Sequence, residues 1–188
     1  MQRIVNSVLD FAKPLQLDFK DVDIRDNVRR ACESCRTKAN ARGVTLTMHL
    51  PSAPVTITID SLHIERALIN LIDNAVDASQ CGARVHIAAT TDRNKIVIII
   101  NDKGTGMDCE TIANLFMPFY TTKNKGTGLG MSISRKVIEA HAGTLFINSK
   151  QGVGTEAAIR LPYKRGFIKD ENESTKTARF HLRFFYEH

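Results

Sequence analysis

Apolar positions at Ile4, Val5, Val8, Leu9 and Ala12 recur at three- and four-residue spacing. That stripe predicts an amphipathic helix over 1–12, which Pro14 ends. No capping residue precedes it, as expected of the back end of a longer helix. Asp21 to Asp23 can cap a second helix, running to about Ala41 and closed by Gly43. "VTLTMHL" (44–50) and "VTITI" (55–59) alternate and are rich in β-branched residues, so they read as strands separated by Pro51 and Pro54. "DSLHIERALINLIDNAVDAS" (60–79) opens on a capping Asp60 or Ser61 and carries a broad apolar face of Leu62, Ala67, Leu68, Leu71, Ile72 and Ala75. Strands are expected at 85–90 and 95–102, and a helix at about 129–142. A last strand pair is expected at 144–149 and 155–161, around the turn "KQGVG".

Helices and hairpin-like strand pairs alternate irregularly, without a repeated βαβ unit. The expected fold class is α+β, a two-layer sandwich with helices on one face of a mixed, mainly antiparallel sheet. Past Pro162 the pattern fails, and 163–188 reads as a tail that is polar, then abruptly aromatic.

Composition narrows the classes. The chain has 188 residues, 43% hydrophobic and 24% charged, with no Trp: one domain with a full core and some extra chain. No apolar run approaches the roughly 18 residues of a membrane span. No secretory signal opens the chain, so the expected compartment is the cytoplasm, leaving open whether a parent protein is membrane-anchored. The net charge of +6 is modest and interspersed with acids. No aromatic platform accompanies it, which argues against nucleic acid as a partner. Cys32 and Cys35 make a lone CxxC, and Cys81 and Cys109 do not complete a metal set. Reduced, partly buried thiols on one helix face are expected.

Three clusters could carry chemistry. Asn70 and Asn74 stand one helical turn apart among apolar neighbours. Their amides either bond nearby loop backbone or offer oxygen to a hard cation such as Mg²⁺. In "NDKGTGM" (101–107) a buried strand delivers Asp102 into a loop where Gly104 and Gly106 permit close approach of a flat ligand. That is either an ordinary Asp-x-Gly turn or a carboxylate placed for an exocyclic amine. In "KNKGTGLGMSI", Gly126, Gly128 and Gly130 precede a helix start, where backbone N–H groups and the helix dipole favour an anion, and Lys123 and Lys125 stand upstream. The spacing is neither the Walker nor the Rossmann pattern.

In this order, "ERALINLIDNAVDAS", "NDKGTGM", "LFMPFYTTK" and "KGTGLGMSI" resemble the N box, first glycine box, F box and second glycine box of the Bergerat-type ATP-binding domain. That is the fold of sensor histidine kinases, gyrase and mismatch-repair ATPases. The resemblance covers roughly residues 20 to 162. It implies ATP and Mg²⁺ as cofactors. Asp102 would take the adenine amine with help from water and Thr155, while Gly104 and Gly106 shape the adenine pocket. Asn74 would ligate Mg²⁺, with Asn70 assisting. Lys123 and the backbone of Gly126 to Gly130 would hold the phosphates. Further cofactor contacts are implied at Asp77, Met107, Phe119, Thr121, Thr122, Thr127, Leu129 and Met131. Leu115, Phe116 and Phe119 would partly anchor the base of a lid. Two departures stand out: Asp77 occupies a position where many sensor kinases carry Lys or Arg, and Lys103 replaces a common Asn.

In the family's ATPase branch a Glu acts as general base four residues before the Mg²⁺-binding Asn. Here Asn70 fills that place, and an amide cannot activate water in that way. "PFYTTKNKGTGLGMSI" is similar to sensor kinases related to the nitrogen-regulatory kinases. Residues 1–19 resemble the end of a second dimerisation helix and its linker. None of the six histidines has the context of a phosphoacceptor. The expectation is a catalytic domain that donates the γ-phosphate of ATP to a His on a dimerisation domain, for relay to a response regulator receiver domain. The fragment would be monomeric and the parent a homodimer. The alternatives are a catalytically silent ATP-binding regulatory module, an ATPase, or an anti-sigma-type serine kinase.

Overall fold

The computed structural model describes residues 15–92, 94–123 and 126–163. The helix expected at 1–12, Lys125, and the expected tail beyond Tyr163 lie outside the described residues. The chain runs through β1 (Lys20–Asp23), α1 (Ile24–Ala41), β2 (Thr45–His49), β3 (Thr56–Ile59) and α2 (Ser61–Ala78). It continues through β4 (Arg84–Asp92), β5 (Lys95–Asp102), α3 (Cys109–Asn114), α4 (Gly130–Ala140), β6 (Thr144–Lys150) and β7 (Gly154–Pro162).

Local chemistry sets the helix starts. The Asp23 carboxylate accepts from Arg25 N at 3.1 Å, and Asp60 Oδ1 accepts from His63 N at 2.9 Å. Both satisfy N–H groups that a helix leaves open. At Asp60 burial works against the charge, but the Asp18 and His63 N–H groups outweigh it and hold the pKa down at about 2. The Asp60 N–H donates in turn to Nε2 of buried His141 at 2.9 Å, and His141 Nδ1 lies 2.7 Å from the Val137 carbonyl. A neutral imidazole therefore ties the start of α2 to the end of α4.

Five strands form the main sheet in the order β2-β4-β5-β7-β6. Only β2 and β4 run parallel; the other neighbours are antiparallel. In β5 the residues Ile96, Ile98 and Ile100 are fully or almost fully buried, whereas Val97 and Ile99 are half-buried. The period of two points one row at the helices and the other away from them. The inward row meets Val28 and Ala31 of α1, Leu68, Leu71 and Ile72 of α2, and Ile138 of α4 in one core. The expected sandwich of helices on one face of a mixed, mostly antiparallel sheet is what forms.

The expected last strand pair forms, β6 antiparallel to β7, and β4 pairs with β5 in the same way. β2 and β3 are consecutive but do not pair. β3 lies antiparallel to β1 in a separate two-stranded sheet, with Lys20 opposite Ile59. Pro51 and Pro54 interrupt the connection, so β3 leads into the Asp60 cap instead of turning back on β2. β1 itself escapes a pattern search because "KDVD" has a single apolar residue. Among the described residues no helix is long and apolar enough to cross a membrane.

Cys32 and Cys35 are buried on the inner face of α1. Burial pushes their thiols up to about 11 and about 12, which suppresses the reactive thiolate. Cys81 and Cys109 are exposed. A water-soluble aromatic disulfide should therefore titrate two thiols rapidly in the native protein and all four after denaturation.

Candidate functional site

α2 separates two chemistries by face. Ile64, Ala67, Leu68, Leu71, Ile72, Ala75 and Val76 are buried. Asn70, Asp73, Asn74 and Asp77, spaced i, i+3, i+4 and i+7, form a polar stripe. That stripe is one wall of a cleft of about 860 Å³. The end of β5 and the 105–107 loop form the floor, and Leu115, residues 120–123 and residues 126–128 line another side.

Asp102 lies at the floor. It continues the inward row of Ile96, Ile98 and Ile100, so the register places a carboxylate where a further apolar residue would face the helices. It is 5% exposed. Burial pushes its pKa up, and N–H groups of Gly104 and Thr155 partly offset that. The Gly104 N–H donates to Oδ1 at 2.8 Å. The loop is held from both sides, because Thr105 N–H donates to Ala78 O at 3.1 Å and Thr105 O accepts from Gly152 N at 2.7 Å. Met107 N–H donates to Ser149 Oγ at 3.0 Å, and that hydroxyl lies 2.8 Å from Thr155 Oγ1.

On the wall, Asn70 Nδ2 donates to Ser134 Oγ at 3.0 Å and Asn74 Nδ2 approaches Met131 Sδ at 3.2 Å. Asn74 Oδ1 accepts from Lys123 Nζ at 2.7 Å, and the same ammonium lies 2.7 Å from Asp77 Oδ2. Burial works against the Asp77 charge, but bonds from Lys123 and Lys38 outweigh it and lower its pKa. At the far end of the cleft α4 begins at Gly130, and its N-cap Leu129 makes no side-chain capping bond. The start of this helix is thus left open to an anion.

The family model described as "Histidine kinase-, DNA gyrase B-, and HSP90-like ATPase" matches residues 59–165. The chain belongs to that family. Sporulation kinase E of Bacillus subtilis is 28% identical over 174 residues, covering 92% of this chain and 24% of that protein. The chain thus spans about a quarter of the length of this curated relative. The nucleotide-free catalytic domain of histidine kinase ThkA superposes with a TM-score of 0.71 at 25% identity, over 78% of this chain and 96% of that one. Full-length ShkA in complex with AMPPNP gives 0.78 at 25% identity, over 87% of this chain and 36% of that one. ThkA in complex with the response regulator protein TrrA has the same fold, with a TM-score of 0.74 at 23% identity over 87% of this chain and 47% of that one.

Within this family fold, most residues singled out from the motifs line the one cleft. Asn70, Asn74 and Asp77 stand on one side and Asp102, Gly106, Met107 and Thr155 at the floor. Thr121, Thr122, Lys123, Gly126, Thr127, Gly128, Gly130 and Met131 line the other side. Gly104, Phe119 and Leu129 do not line it. Gly104 acts from behind, through its N–H on Asp102, and Leu129 is buried.

Phe119 departs from the anchor role expected of it, because the residue is 60% exposed. Its backbone makes the contact instead. Phe119 N–H donates to Gly128 O at 2.9 Å, closing the neck of the segment between them. Phe116 is half-buried, with the Arg135 guanidinium 5.0 Å from its ring centroid.

The structure also brings in Lys38 and Arg42 from the end of α1. Lys38 Nζ lies 2.9 Å from Asp77 Oδ1, and Arg42 donates to the Asp77 carbonyl at 3.0 Å. Their sequence signal is only a cation in the last turn of a helix and another at its C-cap, so only the packing of α1 on α2 reveals their place.

Gly128 has φ 68°, and a Cβ there would stand 2.3 Å from the Phe119 carbonyl carbon. Gly128→Ala combines left-handed strain with a backbone clash. We expect it to lower unfolding free energy by about 1–3 kcal/mol in denaturant titrations, and nucleotide affinity with it.

Proposed function

We propose that this chain is the ATP-binding catalytic domain of a sensor histidine kinase, with residues 20–162 as the catalytic unit. It would pass the γ-phosphate of ATP to a histidine on a dimerisation domain of the same parent protein. Residues 1–19 would be the end of the second dimerisation helix and its linker, and 163–188 a tail. The parent would act as a homodimer and relay the phosphoryl group to a response regulator receiver domain. The motif "PFYTTKNKGTGLGMSI" supports a nitrogen-regulatory-kinase-like subgroup.

The observation that carries this reading is the buried Asp102 carboxylate on the floor of a cleft whose wall ends in an uncapped helix start. Such a cleft offers an acceptor for the adenine amine at one place and N–H donors for phosphates at another. Asn74 Oδ1 fits a hard cation, since a lysine ammonium already rests on it. Bound there, Mg²⁺ would neutralise phosphate charge. The protein's own part is positioning, with Asp102 fixing the base, Asn74 the metal side, and the α4 start and Lys123 the phosphates.

The cleft's own residues favour transfer over hydrolysis. Asn70 is engaged with Ser134 and has no basicity to offer water. Glu65 binds Arg30 at 2.7 Å on α1 and is not part of the cleft wall.

Asp102→Asn tests the base site. The Gly104 N–H would keep the amide oxygen, leaving an NH₂ donor facing the donor of adenine. Affinity for a fluorescent ATP analogue should fall on the order of 100-fold with far-UV circular dichroism unchanged. Unchanged affinity would refute the assignment.

Phosphotransfer has its own test. With γ-labelled ATP the chain alone should acquire no acid-labile phosphate, because none of its histidines has a phosphoacceptor context. A dimerisation domain supplied in trans should become labelled. Label appearing on the isolated chain, or steady hydrolysis without any acceptor, would contradict the transferase reading.

A further inference from the structure

Asn74 and Asp77 are three residues apart on α2 and both line the cleft. One cation already joins them. Lys123 Nζ lies 2.7 Å from Asn74 Oδ1 and 2.7 Å from Asp77 Oδ2. The two oxygens of Asp77 have different surroundings. Oδ1 is held at 2.9 Å by Lys38 Nζ, which also lies 3.5 Å from Asp73 Oδ2. Oδ2 takes the Lys123 ammonium, the same group that bonds Asn74 Oδ1. The carboxylate is thus fixed from α1 and presents one oxygen beside the amide oxygen.

We propose that Asn74 Oδ1 and Asp77 Oδ2 form a paired oxygen seat for one cation, on which the Lys123 ammonium and the magnesium ion of the nucleotide exchange. This rests on the nucleotide-binding reading above and adds two things to it, a carboxylate donor at Asp77 and an internal competitor at Lys123. Lys38 is a positioning residue that aims the carboxylate.

The chemistry of the donors supports it. One neutral amide oxygen and one carboxylate oxygen are hard donors that suit Mg²⁺. A magnesium ion draws its oxygens to about 2.1 Å, which leaves no room for an ammonium on the same pair of atoms. Like charge reinforces the exclusion. The displaced Lys123 then stands at the cleft wall as a free cation for the incoming phosphates. The position is also informative in sequence terms. A Lys or Arg at 77 would put a second cation next to Asn74, whereas an Asp there changes the sign of the charge facing it.

The simpler account is a partly exposed ion pair between Lys123 and Asp77, at 45% and 24% side-chain exposure, with no bearing on metal. The two accounts predict opposite results for Asp77→Asn. If Asp77 only holds Lys123, the substitution frees Asn74 and strengthens metal binding. If Asp77 is part of the seat, the substitution weakens it.

The experiment uses Mn²⁺ as a probe, followed by electron paramagnetic resonance, with and without an ATP analogue. Nucleotide affinity is measured in parallel in Mg²⁺ and in chelator. For Asp77→Asn we expect about a tenfold or greater loss of Mn²⁺ affinity and of the Mg²⁺-dependent gain in nucleotide affinity. Lys123→Met should bind Mn²⁺ several-fold more tightly without nucleotide, as its competitor is gone. Lys38→Met should lose part of what Asp77→Asn loses. Circular dichroism and the unfolding midpoint check that each variant is folded. Unchanged or tighter Mn²⁺ binding in Asp77→Asn overturns the proposal, as does an unchanged or weaker affinity in Lys123→Met. Absence of nucleotide binding in the parent chain would count against the nucleotide reading instead, and the Mn²⁺ titrations without nucleotide would still decide the seat.

Discussion

A carboxylate buried at the end of an apolar strand is the constraint that shapes this site. Ile96, Ile98 and Ile100 point inward, and the same period carries Asp102 into the core side. Removing a charged group from water is costly unless donors surround it. N–H groups of Gly104 and Thr155 supply them, and each comes with a structural demand. The first requires the 104–106 loop to fold tightly against the end of α2, where Ala78 O receives Thr105 N–H. The second requires β7 in register with β5, with Thr155 opposite Asp102. The cleft floor is therefore a consequence of satisfying one acid. Whatever acceptor capacity the acid retains faces the cleft.

The same helix that closes the core also builds the wall. α2 buries seven apolar side chains on one face, and burying each of the larger ones, Ile64, Leu68, Leu71, Ile72 and Val76, is worth roughly 1.5–3 kcal/mol. Exposed ion pairs are worth about 0–1 kcal/mol each. The ion pairs of Asp77 with Lys38 and Lys123 thus add little to holding α2 in place. Their effect is on direction: they decide where an amide and a carboxylate oxygen point. Stability and site geometry are set by different faces of one helix, so polar substitutions on the stripe can change the site with little change in fold.

What the chain's pattern reveals is limited by range. α1, α2, α4 and strands β4 to β7 carry periods of 3.6 or 2 and a capping Asp or a turn glycine, so their existence is legible. α3 has none of its residues buried and hence no period, although Asp108 caps it with a 2.7 Å bond to Thr111 N. β1 is stabilised by pairing with β3, not by its own residues. That β2 lies parallel to β4 depends on a contact between segments about 40 residues apart, which no local window contains. At the site, Asp102 is legible because a polar residue in an apolar row is conspicuous, and Asn70 and Asn74 because two amides stand one helical turn apart beside an apolar face. Lys38 and Arg42 are not, because surface cations are common and only the α1–α2 packing gives these two a partner.

The glycines between Lys123 and the helix raise the question of what they are for. A phosphate cradle would explain them, but the protein's own packing already demands one of them. At Gly128 a Cβ would strike the Phe119 backbone, whereas at Gly130 it would meet only the end of the Asn70 side chain, which can move aside. Gly128 would exclude a larger residue even if no anion ever bound. The stronger sign of a ligand is therefore the helix start itself. α1, α2 and α3 are each capped by an aspartate side chain, whereas α4 has no side-chain cap where it opens into the cleft. An aspartate there would satisfy the same N–H groups and would also repel a phosphate. Leaving them uncapped costs some helix stability, of order 1 kcal/mol, and keeps an electropositive end at the cleft, which Gly130 and Met131 line.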